Sequence, residues 1–284
     1  ILGKTNLSEW ANYFCYGCPN GYSAMGGQTL HPYGRKILDT GGSSSGSGVS
    51  TTSNLAAGSL GSETSGSILS PSSANSLVGM KPTIGKVSRA GIVPISSTLD
   101  TAGPMTKFVI DNILIYNAIN DFDPTDEYSV ENFDINLESV IDNKTIEYRI
   151  GYYKSFYKRD VLYRNSIDFL KEKGLELVDI DAPEIRLEGF TKILDEDMRH
   201  DLRSYLFSYG NKNLEIEDIS SIIKYNELDS VERAPYGQGI FKKIIKDTMS
   251  INDFENLKFE LMSKGNEFFN IPMDKFNLDV VLSI

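Results

Sequence analysis

Gly41-Gly42-Ser43-Ser44-Ser45-Gly46-Ser47-Gly48 and, after Leu55-Ala56-Ala57, Gly61-Ser62-Glu63-Thr64-Ser65-Gly66-Ser67 form the stretch whose reading decides the fold. Glycine lets the backbone take positive φ and approach a ligand closely, so neighbouring N–H groups can be aimed at one point. Serine adds a hydroxyl that can act as nucleophile, proton relay or hydrogen-bond donor. A free Gly/Ser linker has the same composition. A linker, however, has no use for the apolar anchors that divide and follow the two clusters, Leu55-Ala56-Ala57, Ile68-Leu69 and Leu77-Val78-Gly79-Met80. The pattern predicts a packed segment that presents hydroxyls and backbone amides to a site.

Outward from this stretch, the chain reads as an ordinary globular protein: 284 residues, 40% hydrophobic and 24% charged. That length holds one large domain or two small ones, and no internal repeat or clear boundary divides it. The net charge of −11 offers no basic field for phosphates and excludes nucleic acid as the main partner. With no signal-peptide pattern and no apolar run of about 18 residues, a cytoplasmic protein without a membrane partner is expected. Cys15-Tyr16-Gly17-Cys18 could be a redox pair or half a zinc site. No second cysteine pair exists, and His31 and His200 stand at no ligand-like spacing, so two loop thiols, no metal and no cofactor are expected. Two cysteines also suit a reducing compartment.

Coarse periodicity predicts an α/β class. Tyr148–Tyr153 reads as a buried strand, Asp160–Lys173 as a helix ended by Gly174, and Leu175–Ile180 as a second strand: a βαβ unit. Lys107–Asn120 carries apolar residues at helical spacing. Asp121–Asn143 reads as a polar connector, and residues from Pro183 to about Lys264 as mostly helical. Asn6 or Ser8 could cap a short helix. Residues 15–36 read as a loop, and the blocks around Lys81-Pro82 and Gly91–Pro94 as punctuation between short strands. Ile1-Leu2-Gly3 reads as the end of a buried strand, and Leu278–Ile284 as a strand that stops. Both ends look cut.

If one of these serines is a nucleophile, it needs a base to activate it, a proton for the leaving group and an oxyanion hole. A Ser-His-Asp arrangement needs a histidine base, and neither His31 nor His200 has a fitting context. Gly42-Ser43-Ser44-Ser45-Gly46 matches the G-x-S-x-G elbow, but that elbow follows a strand, and Lys36–Thr40 is a poor one.

Five blocks together, Ile1–Ala11, Gly41–Gly48, Gly61–Ile68, Val78–Ser96 and Leu99–Met105, resemble the amidase signature family of serine hydrolases, closely over about the first 120 residues and loosely beyond. The resemblance implies a mixed β-sheet core flanked by helices, and a single domain over 1–284 with the signature core in 1–120 and an α/β, mainly helical remainder in 121–284. It places Ser67 on the nucleophile and Ser43 on a bridging serine preceded by a cis peptide bond. The backbone N–H groups of Thr64, Ser65, Gly66 and Ser67 fall on the oxyanion hole, with Ser44 and Ser62 as supports. The implied activity is hydrolysis of a carboxylic amide C–N bond by a Ser–cis-Ser–Lys mechanism, on a small-molecule amide. The family's lysine lies upstream of the Gly3-Lys4-Thr5-Asn6 block, and neither Lys4 nor Lys81 falls on it. The chain is therefore expected to be an internal fragment with little activity of its own.

Glu63 stands where many members carry Asp, Ser65 where many carry Gly, and Leu69-Ser70 replaces an arginine found in members that act on acidic substrates or feed ammonia to a partner subunit. The pattern favours stand-alone amidases such as peptide amidase. The A-type component of a glutamine-dependent amidotransferase and a non-catalytic binding protein on the same fold are the rival readings, and a homo-oligomer stays open. Tyr13, Phe14, Tyr16, Tyr22 and Tyr33 could line an acyl pocket or pack a core.

Overall fold

A computed structural model describes residues 1–141 and 147–284; the last two residues of the predicted polar connector, 142 and 143, lie outside the described residues. In chain order the elements are β1 (Tyr22–Ser23), β2 (Gly27–Gln28), α1 (Ser45–Thr52), β3 (Gly58–Glu63), α2 (Leu69–Ala74), β4 (Val78–Gly79), β5 (Thr101–Thr106) and α3 (Val109–Asn117). They continue with α4 (Leu137–Ile141), β6 (Arg149–Tyr153), α5 (Lys154–Arg159), α6 (Val161–Glu172) and β7 (Glu176–Ile180). The chain closes with α7 (Phe190–Tyr209), α8 (Ile219–Glu227), α9 (Ser230–Arg233), α10 (Gly239–Ile244), α11 (Ile251–Phe276) and β8 (Val280–Leu282). The described residues form two compact units, Ile1–Leu137 with Leu194–Met249, and Glu138–Ile193 with Ser250–Ile284. Where the sequence suggests one domain with a change of character near residue 120, the packing divides the chain at other places.

In the first unit β3, β5 and β4 form an antiparallel sheet in that order, with Gly58 opposite Thr106 and Glu63 opposite Thr101. All six residues of β5 are buried. The Gly/Ser stretch is helix α1 packed on this sheet, and hydroxyls do much of the joining. Ser47 Oγ donates to the Leu60 carbonyl at 2.7 Å, Ser59 Oγ to the Ser47 carbonyl at 2.8 Å, and Thr51 Oγ1 to Ser59 Oγ at 2.9 Å. The helix can lie this close only because its residues are small: a Cβ on Gly46 would stand 2.4 Å from the Asn6 carbonyl oxygen. Strand alternation puts Glu63 on the same face as Gly61, both buried. A separate apolar core gathers Phe14, Met198, Leu202, Ile219, Ile222 and Phe241.

In the second unit the predicted βαβ element is present. β6 pairs in parallel with β7, Arg149 opposite Glu176, and also with β8, Ile150 opposite Val280. Between the first two strands, α6 starts on Asp160, whose carboxylate accepts the Tyr163 N–H at 2.7 Å. It buries Ile167 completely and gives way to Gly174 at φ +83°. Mixed strand directions, antiparallel in the β3–β5–β4 sheet and parallel in the β7–β6–β8 sheet, together with helices in each unit, give the expected α/β class.

The N-terminal expectations need correction. Ile1 and Leu2 are exposed and belong to no strand. Neither Asn6 nor Ser8 caps a helix, because their side chains serve distant backbone: Asn6 Nδ2 donates to the carbonyls of Gly21 and Gly27, both at 3.0 Å, and Ser8 Oγ accepts from the Gly21 N–H at 2.7 Å. Trp10, Ala11 and Asn12 take positive φ, so the turn at Glu9–Asn12 is not a regular helix. The Lys81-Pro82 and Gly91–Pro94 blocks do fall between two short strands, β4 and β5. Gly46→Ala is expected to cost about 1–3 kcal/mol of stability through the forced separation of α1 from the Asn6 backbone; urea unfolding of the two proteins reads the shift, and equal midpoints would contradict the close packing.

Candidate active site

The candidate nucleophile sits on the turn between β3 and α2. Glu63, the last residue of β3, is 4% exposed and turns its carboxylate back onto that turn. Its Oε1 accepts the Gly66 N–H at 2.7 Å, and its Oε2 the N–H groups of Ile68 and Leu69 at 2.8 and 3.0 Å. A buried carboxylate needs such donors, and here they come from both sides of Ser67. Gly66 at φ +82° makes the reversal that leaves Ser67 at the mouth of α2. Ser67 is 9% exposed.

The Gly41–Ser45 segment is laced to this turn. The Gly42–Ser43 peptide bond is cis. The Ser43 carbonyl accepts the Ser8 N–H at 2.9 Å, and the Ser44 N–H donates to the Ser67 carbonyl at 3.1 Å. Ser44 Oγ both donates to the Ser62 carbonyl and accepts its N–H, each at 3.1 Å. Ser43, Ser62, Thr64, Ser67 and Asp100 thereby line one small cavity. The Ser43 hydroxyl is buried there, and no described residue hydrogen-bonds to it.

The predicted oxyanion donors divide. Gly66 is a correction, because its N–H is directed to the Glu63 carboxylate. Among the described residues nothing accepts from the N–H groups of Ser65 and Ser67. Thr64 borders the same cavity, and its hydroxyl donates to Asp100 Oδ1 at 2.5 Å. No lysine of the described residues, Lys4 and Lys81 included, reaches the Ser43 hydroxyl. His31 is buried and committed, its Nε2 donating to the Ala74 carbonyl at 2.9 Å and its Nδ1 accepting the Tyr33 N–H at 3.2 Å. His200 is exposed. Cys15 and Cys18 are joined as a disulfide rather than standing as two loop thiols. No metal-holding group of three or more His, Cys, Asp or Glu occurs among the described residues. No helix of the described residues is long and apolar enough to cross a membrane.

A second, larger cavity of about 370 Å³ shares Ile92 and Asp100 with the serine cavity. Its aromatic residues are Tyr128, Tyr205 and Tyr209, with none of the five predicted. Phe14 lies in the apolar core with Tyr13 packed against it. Tyr22 stacks edge-on against Tyr236, Tyr33 bonds to Thr52 and Tyr16 is exposed. The signal for the residues that do line it is the spacing of Asp201, Tyr205 and Tyr209, each four apart on α7. In this cavity Arg89 donates to Asp126 through Nε and Nη2, both at 3.1 Å, and to the Ser97 carbonyl through Nη1 at 2.6 Å. Asp201 accepts the Ser97 N–H at 2.6 Å. Burial, joined by the charges of Asp197 and Asp100, pushes its carboxyl up to about 6 against that hydrogen bond. Burial likewise raises the Asp100 carboxyl, although Thr64, Ser96, Ile95 and Arg89 oppose it.

The chain matches the family model "Amidase" over residues 1–283. Its fold is similar to an amidase family protein from Bacillus anthracis, with a TM-score of 0.84, 31% identity, and coverage of 98% of this chain and 56% of that one. It is equally similar to the native peptide amidase of Stenotrophomonas maltophilia, TM-score 0.84 and 29% identity over 98% of this chain and 59% of that one. The A component of the glutamyl-tRNA(Gln) amidotransferase from Brachyspira hyodysenteriae is 33% identical over 214 residues, 72% of this chain and 43% of that protein. The chain spans less than half the length of the curated relatives it matches.

Asp201 carries a consequence for stability. An unfolded aspartate titrates near 3.9, so the native state holds this proton more tightly, and the stability it contributes is full below about 4 and lost as pH rises through about 6. Asp201→Asn, which keeps an oxygen for the Ser97 N–H, should melt above the parent at pH 8, with the gap nearly closed at pH 4. Thermal scans at the two pH values check it; a gap independent of pH would contradict the assignment.

Proposed function

This chain belongs to the amidase family, and on that premise we propose that it hydrolyses a carboxylic amide C–N bond through an acyl-enzyme on Ser67. The observation that carries the reading is the Ser43 hydroxyl, 1% exposed, without a hydrogen-bond partner among the described residues and in the same cavity as Ser67. A buried, unsatisfied hydroxyl costs about 1–3 kcal/mol, and a relay role explains why it is kept. Ser67 Oγ attacks the carbonyl carbon and its proton passes to Ser43 Oγ, which hands its own to a neutral amine base. The free N–H groups of Ser65 and Ser67 receive the developing oxyanion, and Thr64 adds its N–H if the substrate lies toward β3. When the tetrahedral species collapses, the proton returns through Ser43 to the leaving amine. Water then attacks the ester of Ser67 by the same route in reverse.

The resemblance to the family assigns the base to a lysine, and Ser43 Oγ has no hydrogen-bond partner among the described residues that would compete with it. Similarity to peptide amidase supports a stand-alone enzyme. Similarity to the amidotransferase A component supports a second reading, a protein that works only within a complex. Leu69-Ser70 in place of an arginine counts against it, and glutaminase activity with a co-purifying partner would favour it instead.

Treating the full-length gene product with a fluorophosphonate should add one adduct, mapped to Ser67 by peptide mass. Ser67→Ala should abolish it and Ser43→Ala should slow it at least about 100-fold, the scale of a lost proton relay. No adduct on Ser67 would leave the non-catalytic binding protein as the better reading.

A further inference from the structure

We infer that the larger cavity takes a positively charged group of the substrate, held by the Asp201 carboxylate and the rings of Tyr205 and Tyr209. That the charged molecule is an amide rests on the function proposed above; the cation preference itself rests on the cavity. Its lining carries four carboxylates, Asp100, Asp126, Glu127 and Asp201, against the single guanidinium of Arg89. An anion entering it would meet no free positive partner, since Arg89 is directed to Asp126 and to the Ser97 carbonyl and lies 4.5 Å over the Tyr128 ring.

The carboxylates differ in what they can still accept. Asp126 is taken by Arg89, with side chains only 6% and 10% exposed. Asp100 is enclosed at 8% exposure, one oxygen on Thr64 and the other on the N–H groups of Ile95 and Ser96, each at 2.9 Å. Asp201 is only partly buried and meets Ser97 on one side. A carboxylate has about four acceptor positions, so Asp201 keeps room for a donor from the cavity. One and two turns along α7, Tyr205 and Tyr209 stack with ring centroids 5.1 Å apart. Aromatic faces beside a carboxylate attract ammonium and guanidinium groups. The cavity meets the serine cavity at Asp100 and Ile92, and there the buried Ser43 hydroxyl awaits a partner. A molecule held at Asp201 therefore lies beside the residues that wall the serine cavity.

The test is calorimetric binding of N-acetyl-lysinamide and of its neutral near-isostere N-acetyl-norleucinamide to the 284-residue chain and to Asp201→Asn. The lysine amide should bind about tenfold or more tightly, the scale of one charge-assisted hydrogen bond. The ratio should fall to about one in Asp201→Asn, and should also fall in Tyr205→Leu, which keeps the carboxylate. Equal binding of the two amides by the parent chain, or an unchanged ratio in Asp201→Asn, overturns the assignment. Binding is read without turnover, so it separates from the hydrolase reading. A missing preference with Ser67 still labelled by fluorophosphonate removes only the cation pocket. A clear preference with Ser67 unlabelled supports the pocket and removes only the hydrolase.

Discussion

Three backbone N–H groups converge on one buried carboxylate, Glu63, and the geometry of the serine site depends on that convergence. A turn rich in glycine and serine has many conformations of similar energy, and ordering each residue costs about 1–2 kcal/mol of entropy. The carboxylate opposes that cost because it cannot be buried without donors, and the donors nearest to it flank Ser67. The anion and the turn hold each other in place. Alternation along β3 aims the carboxylate inward, so the β3–β5 register governs the turn as well as the sheet.

The same need for satisfaction organises the layer beneath. Where most helices join a sheet through leucine and isoleucine, α1 joins β3 through hydroxyls and bare backbone. Small residues let chains approach closely, and close approach lets serine hydroxyls reach carbonyls across the interface. The consequence is a rigid polar wall. Against it the Ser43 hydroxyl stands out, since its neighbours Ser44 and Ser45 both find partners, in Ser62 and Gly41, while Ser43 finds none among the described residues.

Much of this is legible in the residues themselves. The βαβ unit follows from apolar spacing and Gly174, because both signals are local and no distant contact overrides them. The positions of Ser43 and Ser67 follow from the long motif blocks, and the cavity brings the two together. Other features depend on partners far away in the chain. Asn6 and Ser8 look like helix caps until the backbone of Gly21 and Gly27 claims them. Gly66 looks like an oxyanion donor until strand alternation turns Glu63 toward it. Aromatic residues near the motif suggest a pocket, yet the tyrosines that line one come from positions 128, 205 and 209. Only the fold could bring those residues to Asp100.

One chemical claim is central: Ser67 carries the acyl group. Rapid acid quench of the full-length gene product during turnover of a simple amide, followed by intact and peptide mass analysis, tests it most directly. A mass gain equal to the acyl group on the peptide containing Ser67, rising and decaying with turnover, is the result predicted. Turnover with no covalent species, or an acyl group on another residue, would contradict it.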